Sequence, residues 1–193
     1  MDSHDPWMRL RTWMEEGSST EPRVPEAMQL ATATPEGVPS IRTVLLKGFG
    51  PDGLVFYTNL GSRKALELAA NPVAAALLHF KGLERQVIAH GPVKPVSDAM
   101  ADAYFATRPR GSQIGAWASR QSSPVDSRAQ LEASVRAFEE RFEGQDVPRP
   151  AFWSGFCLQP ERLEFWQGRP SRLHDRWVYT RSGDGWEHTR LAP

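Results

Sequence analysis

The feature that most limits what this chain can fold into is the way turn-forming clusters cut it into short apolar runs. Pro35-Glu36-Gly37, Pro51-Asp52-Gly53 and Ser182-Gly183-Asp184-Gly185 lie beside runs rich in Val, Leu, Phe, Tyr or Trp. Proline presets φ and glycine accepts positive φ, so the chain reverses there. Runs at 28–34, 41–47, 54–58, 73–80 and 85–90 are too short for helices and read as strands, as do 156–159, 163–166 and 177–180. Strands joined by tight turns pair antiparallel.

Helical signals flank and interrupt these runs. Asp5-Pro6 is a cap followed by proline, and predicts a helix through Trp7, Leu10 and Trp13 that stops near Gly17, with a polar linker over 17–25. Ser62 caps a helix to Ala70, ended by Asn71-Pro72. The middle is helical over 97–107, again briefly after Ser112, and over 126–142, where Leu131, Val135, Phe138 and Phe142 keep helical spacing before Gly144. The pattern predicts a mainly β chain with added helices, an antiparallel barrel rather than a parallel sheet. One domain is expected over 1–193: helix and linker (1–25), first barrel strands (26–96), helical insertion (97–145) and C-terminal strands (150–193).

Composition excludes several classes. Lys plus Arg number 23 and Asp plus Glu number 23, so no global field favours nucleic acid or a membrane surface. No apolar run approaches the roughly 20 residues that span a bilayer. Cys157 is the only cysteine, which rules out an intrachain disulfide and reads as a buried small hydrophobe. With an acidic N-terminus lacking an apolar signal segment, this points to a cytoplasmic protein. No His pairs with another His or with Cys at ligand spacing, so no metal is expected.

Several motifs carry charge chemistry. Gly48-Phe49-Gly50-Pro51-Asp52-Gly53 matches G-x-G-x-x-G, but a strand-like run follows it instead of the required helix, so it reads as a hairpin connection. Gly61-Ser62-Arg63-Lys64 opens a helix, where free N–H groups and two cations suit an anion. Arg42 and Lys47 flank Thr43, Val44, Leu45 and Leu46; five positions apart, they fall on opposite faces of a regular strand unless its end re-aims one. Tyr104 and Arg108 share a helix face, and Ser112, read at the start of the next helix, completes a trio suited to phosphate. Arg172, His174 and Arg176 alternate, so an extended backbone aims all three to one side, with Asp175 on the other. Such crowding of cations favours an anion among them. Each signal also has a plainer reading as a capped helix or a solvated charge.

Taken together the motifs resemble the pyridoxamine 5'-phosphate oxidase family, in matching order from about Asp5 to Pro193. The resemblance rests on Arg42-Thr43-Val44-Leu45-Leu46-Lys47, Phe56-Tyr57-Thr58-Asn59, Gly61-Ser62-Arg63-Lys64 and Leu83-Glu84-Arg85-Gln86-Val87. It continues through Arg108-Pro109-Arg110-Gly111-Ser112, Gln121-Ser122-Ser123, Phe165-Trp166-Gln167-Gly168, Arg172-Leu173-His174-Asp175-Arg176 and Arg190-Leu191-Ala192-Pro193.

The resemblance implies a Greek-key-like split barrel that works as a homodimer, with 150–193 as dimerisation strands and FMN at the interface. It implies FMN contacts from the segment Arg42, Thr43, Val44, Leu45, Leu46 and Lys47, then from Tyr57, Thr58, Arg63 and Lys64. Gln86, Gln121, Ser122, Trp166 and Arg176 complete that set. It implies that Lys47, Tyr104, Arg108, Ser112, Arg172 and His174 bind substrate, with Arg172 and His174 over the reacting carbon as the catalytic pair. The implied reaction oxidises pyridoxamine 5'-phosphate or pyridoxine 5'-phosphate to pyridoxal 5'-phosphate, using dioxygen and releasing hydrogen peroxide, and ammonia from the amine. The N-terminal arm that can lid the site in such proteins is expected to be short or missing. Alternatives are a sister flavin oxidase of another aromatic metabolite, such as a phenazine precursor, and a non-catalytic flavin- or haem-binding split barrel, for which His90 stays open as a ligand.

Overall fold

The computed structural model describes residues 5–20 and 23–193. Residues 1–4, where a short or missing N-terminal arm is expected, and residues 21–22 of the linker lie outside the described residues. Helix α1 spans Pro6–Thr20, capped by Asp5, whose Oδ1 accepts the Trp7 N–H at 2.9 Å. It buries Trp7, Leu10 and Trp13 and runs past Gly17, the stop expected from sequence. The reason is close packing: a Cβ at Gly17 would clash with the Phe80 ring, so this glycine lets the helix press on the barrel.

The strands then follow as β1 (Ala27–Ala33), β2 (Pro39–Leu45), β3 (Gly48–Gly50) and β4 (Gly53–Asn59). Helix α2 (Arg63–Ala70) leads to β5 (Val73–Phe80) and β6 (Arg85–Pro95). The helical insertion holds α3 (Asp98–Thr107), α4 (Arg110–Ala118) and α5 (Arg128–Arg141). β7 (Trp153–Leu158), β8 (Arg162–Gln167), β9 (Asp175–Ser182) and β10 (Gly185–Leu191) complete the chain. All pairings are antiparallel, in the order β10-β9-β8-β6-β5-β1-β2, with β4 bridging β3 and β7. The long return through α2 sets β5 beside β1 rather than β4. The G-x-G-x-x-G segment forms the β3–β4 hairpin.

Strand β6 makes this sheet split. Its first half, Arg85 to His90, pairs with β8, and its end, Val93 to Pro95, pairs with β7. Between them the 159–161 corner grips β6: Glu161 N–H donates to His90 O at 3.0 Å and Gln159 N–H to Pro92 O at 2.8 Å. Gly91 sits inside that grip, where a Cβ would strike the Gln159 carbonyl oxygen.

The main core fills the barrel beneath α1, with Leu10, Leu30, Phe56, Phe165 and Tyr179 fully buried. Trp13 meets Phe165 edge-on at 5.2 Å. A smaller cluster of Phe105, Ile114, Phe142, Val147 and Trp153 lies under the insertion. Helix α5 buries none of its own residues; of the stripe at 131–142, only Phe142 at its C-cap is buried. Cys157 is partly rather than fully buried, its thiol donating to Asp52 O at 3.1 Å. No described helix is long and apolar enough to cross a membrane.

Gly91→Ala is expected to lower stability by about 1–3 kcal/mol, the usual effect of forced overpacking, because the obstructing atom is backbone. Urea unfolding measures it; an unchanged midpoint would show that the barrel corner tolerates a side chain.

Candidate active site

Strands β2 and β4 and helices α2, α3 and α4 enclose an open cavity of about 1060 Å³. One end is the start of α2. Asn59 Oδ1 takes the Gly61 N–H at 2.8 Å and shapes the turn into the helix. Ser62 does not cap with its side chain; its Oγ instead receives the Lys64 ammonium at 3.1 Å. Lys64 Nζ also donates to Thr58 Oγ1 at 3.1 Å and Gln121 Oε1 at 2.8 Å. Lys64 is only 7 % exposed, and these partners are all neutral. Burial, then the nearby Arg42 charge, lowers its pKa to about 8. Ser122 Oγ accepts the Arg63 N–H at 3.3 Å, and Ser122 itself is held at φ 70. A non-glycine residue there is strained, a condition found mostly where a site over-determines the backbone.

The two arginines beside Lys64 share one carboxylate, Glu67. Arg42 donates to Leu30 O at 3.1 Å, to Thr32 Oγ1 at 2.6 Å, and to Ser40 Oγ and Glu67. Arg63 Nε donates to Glu67 Oε1 at 2.8 Å, one helical turn away. Burial resists ionisation of the Glu67 carboxyl, but donors from Ser40, Thr32 and Arg63 outweigh it and hold its pKa at about 2. Lys64 is thus the cation here that no described carboxylate neutralises.

The other end lies between α3 and α4. Arg108 caps α3, and its guanidinium lies 4.7 Å above the centroid of Trp153. Its Nη1 is buried with no hydrogen-bond partner among the described residues, and burial lowers its pKa. Tyr104 stacks on Tyr57 at 4.1 Å, and Tyr57 is parallel to Trp153 at 5.4 Å. Burial, then Tyr104, raises the Tyr57 pKa. Ser112 lines the cavity as the third residue of α4, not at its start; Pro109 is the cap, and its carbonyl takes the Ser112 N–H at 2.8 Å.

The opposite-face problem of Arg42 and Lys47 is solved by the end of β2. The β1–β2 ladder stops at Leu45, and Lys47 N–H already donates to Val55 O of β4 at 2.8 Å. The chain changes sheets between them, so Arg42, Thr43, Val44, Leu45 and Lys47 all line the cavity. Leu46 is buried in the core behind them. Lys47 pairs with Glu26 at 3.0 Å.

The remaining candidates sit elsewhere on the chain. Gln86, Trp166 and Arg176 form one cross-strand row over β6, β8 and β9. In the sheet order β6 stands three strands from β2 and β9 five, roughly 14 and 24 Å at the usual spacing. Arg176 pairs with Glu164 at 2.7 Å and donates to Ala192 O at 3.0 Å. The expected extended run of Arg172, His174 and Arg176 is not formed. Residues Pro170–Arg172 make a 3₁₀ turn, with Ser171 and Arg172 at φ 58 and 61, and β9 begins only at Asp175. One carboxylate relieves part of the expected crowding: Glu164 takes Arg176, while Asp175, as expected, does not pair with the trio and takes Arg169 and Arg190 instead. His174 packs 4.6 Å from Trp166, and its Nδ1 accepts the Arg169 N–H at 3.1 Å. A neutral His174 therefore carries its proton on Nε2 and offers it as a donor. Arg172 is exposed. None of these five residues lines the cavity.

Sequence reasoning missed Glu67, Ser40 and Trp153. Glu67 stands four residues after Arg63, a spacing that signals a helical ion pair. Trp153 had no local signal, because its neighbours Tyr57 and Tyr104 come from distant segments.

Lys64 gives a test with a definite sign. Its folded pKa is depressed below the ordinary 10.5, so the folding penalty of its charge is full below pH 8 and fades as pH rises toward 10.5. Lys64→Met should raise the melting temperature of the ligand-free protein at pH 7 by about 2–4 °C, the shift that about 1 kcal/mol gives in a chain of this size. The gain should shrink toward pH 10. A variant less stable than wild type at pH 7 would contradict an uncompensated ammonium.

The chain is similar to known proteins along nearly its whole length. The family profile described as pyridoxamine 5'-phosphate oxidase matches residues 14–142, and that of the pyridoxine 5'-phosphate oxidase C-terminal dimerisation region matches residues 153–193. The pyridoxine/pyridoxamine 5'-phosphate oxidase of Sphingopyxis alaskensis is 58% identical over 99% of this chain and 88% of its own length. The crystal structure of PhzG from Burkholderia lata, in complex with tetrahydrophenazine-1-carboxylic acid, superposes with a TM-score of 0.93 at 30% identity, covering 100% of this chain and 94% of that one. A pyridoxamine 5'-phosphate oxidase-related, FMN-binding protein from Nostoc punctiforme shares the split-barrel fold, with a TM-score of 0.80 at 20% identity over 99% of this chain and 100% of its own. The chain belongs to the pyridoxamine 5'-phosphate oxidase family.

Proposed function

We propose that this protein oxidises pyridoxamine 5'-phosphate and pyridoxine 5'-phosphate to pyridoxal 5'-phosphate, with FMN as its cofactor and dioxygen as the final acceptor. The observation that carries this reading is a single cavity with an under-compensated cation at each end, Lys64 at the start of α2 and Arg108 at the end of α3. Two phosphates, one on the flavin and one on the vitamin, answer both. The relative that is 58% identical bears this activity in its name, whereas the phenazine protein is 30% identical.

The α2 end fits a flavin phosphate. It offers a desolvated ammonium at a helix start and the hydroxyls of Thr58, Ser62 and Ser122. When bound there, FMN supplies the hydride acceptor that side chains lack. Arg63 and Lys64 hold its phosphate, Arg42 and the backbone of 43–45 border the ring, and Gln121 fixes the Lys64 head. At the other end Arg108, Ser112, Tyr104 and Lys47 take the vitamin phosphate, and the stacked tyrosines exclude water from one side of the site.

The protein acts as a homodimer in this reading. Gln86, Trp166, Arg172, His174 and Arg176 lie off the cavity of their own chain, within or facing the segment matched to a dimerisation region. The outer sheet face also leaves Ile41 70% and Leu45 40% exposed, and Gln29 Oε1 is buried without a described partner. A second copy covers that face and brings its own row to the cavity. Arg172 and His174 of the partner subunit then cover the pyridine ring, with His174 Nε2–H as a donor. The lone thiol fits a reducing cytoplasm.

The test is purification and turnover. The protein should carry a flavin spectrum, and pyridoxine 5'-phosphate in air should yield hydrogen peroxide. Unphosphorylated pyridoxine should have a kcat/KM lower by about 10- to 100-fold or more, since a charge-assisted contact gives roughly 1.5–3 kcal/mol. Equal efficiency for both compounds would remove the Arg108 end from the site.

A further inference from the structure

Trp153 is the residue about which the substrate end of the cavity is built. It opens β7 and is 6 % exposed. Tyr57 lies parallel to it at 5.4 Å, Tyr104 at 6.2 Å, and Phe105 meets it edge-on at 5.0 Å. On its ring rests the Arg108 guanidinium, whose Nη1 has no hydrogen-bond partner among the described residues. An arginine held by the face of a ring is fixed in place while its N–H edges stay free. An arginine held by a carboxylate would have those edges filled, as those of Arg42 are.

The ring is itself held by a clasp. Arg149 Nη1 donates to the Trp153 carbonyl at 2.8 Å, its Nε to Asp102 Oδ1 at 2.5 Å, and its Nη2 to Asp98 Oδ1 at 2.8 Å. Asp98 and Asp102 are on α3, the helix that carries Tyr104 and ends at Arg108. Arg149 therefore locks the first residue of β7 to the helix whose end supplies the anion-seeking cation. The Arg149 side chain is 13% exposed, whereas those of Asp98 and Asp102 are 86% and 61% exposed, so the clasp is anchored on its arginine side.

We propose that Trp153 is the positioning residue for the substrate phosphate: its ring seats Arg108 with donors free, and the Arg149 clasp sets where that seat stands. This rests on the proposed function and assigns work to residues outside the expected site. The ring acts through Arg108.

The experiment uses the flavin-loaded protein and two unreactive probes, 4-deoxypyridoxine 5'-phosphate and 4-deoxypyridoxine, in equilibrium dialysis. Trp153→Leu should weaken the phosphorylated probe by about 3- to 30-fold, the range of a desolvated cation–π contact, and leave the unphosphorylated probe and flavin affinity unchanged. Trp153→Phe should recover most of the loss because a ring face remains. Arg149→Met should shift the phosphorylated probe in the same direction, and Arg149→Lys should recover part of it, which keeps the test open if the leucine variant fails to fold. In turnover the loss should fall on KM rather than kcat. Equal weakening of both probes, no weakening, or a phenylalanine variant as poor as leucine would overturn the assignment. Wild-type protein that holds flavin but binds neither probe would overturn the proposed function as well, so the two failures are distinguishable.

Discussion

A buried ammonium with only neutral partners is unfavourable unless an anion meets it. Lys64 is such a group, and the surrounding structure keeps it that way. Glu67, the nearest acidic group in the network, is saturated by Arg42, Arg63, Thr32 and Ser40, and those bonds keep it ionised. Had Glu67 turned toward Lys64, the arginines would have lost their carboxylate instead. The network thus binds β1, β2 and α2 together and leaves Lys64 without a carboxylate partner at the cavity. Stability is given up at Lys64, a cost that the phosphate proposed to bind there would offset.

The same logic repeats at the far end with different chemistry. Arg108 is held by an aromatic face, so its charge is seated but not neutralised. Both ends depend on the barrel corner. β2 must leave the β1 ladder after Leu45 for Lys47 to reach the cavity, and β6 must split at Gly91 for β7 to carry Trp153 to it. What one chain does not supply is the row at Gln86, Trp166 and Arg176, with the neighbouring Arg172 and His174. Their placement on an outer sheet face with exposed Ile41 is intelligible if the working unit is two chains.

Much of this architecture was legible in the chain. Pro51-Asp52-Gly53 and Gly183-Asp184 turn where their φ preferences require, and the 73–80 run became a strand over those same residues. Local chemistry failed where a tertiary contact overrode it. Gly17 reads as a helix stop but is a packing point for Phe80. Arg172 to Arg176 reads as an extended strand, yet the positive φ of Ser171 and Arg172 bends it. Spacing rules locate cations well but not all their counter-charges: Glu164, Glu67 and Asp98 come from other elements than Arg176 (β9), Arg42 and Arg149, and they decide which cations are free. Trp153 could not be found at all without knowing that β7 lies beside β4.

The central claim is that one chain's cavity is completed by the other chain's row. Differently tagged Arg108→Ala and Arg172→Ala chains, co-expressed and purified as the mixed dimer, test it most directly. Arg108 lies in the cavity and Arg172 beside the row, so the mixed dimer holds one doubly defective site and one intact site. The account predicts about half of wild-type kcat per dimer, far above either parent variant. A mixed dimer no more active than the mean of its parents would contradict it.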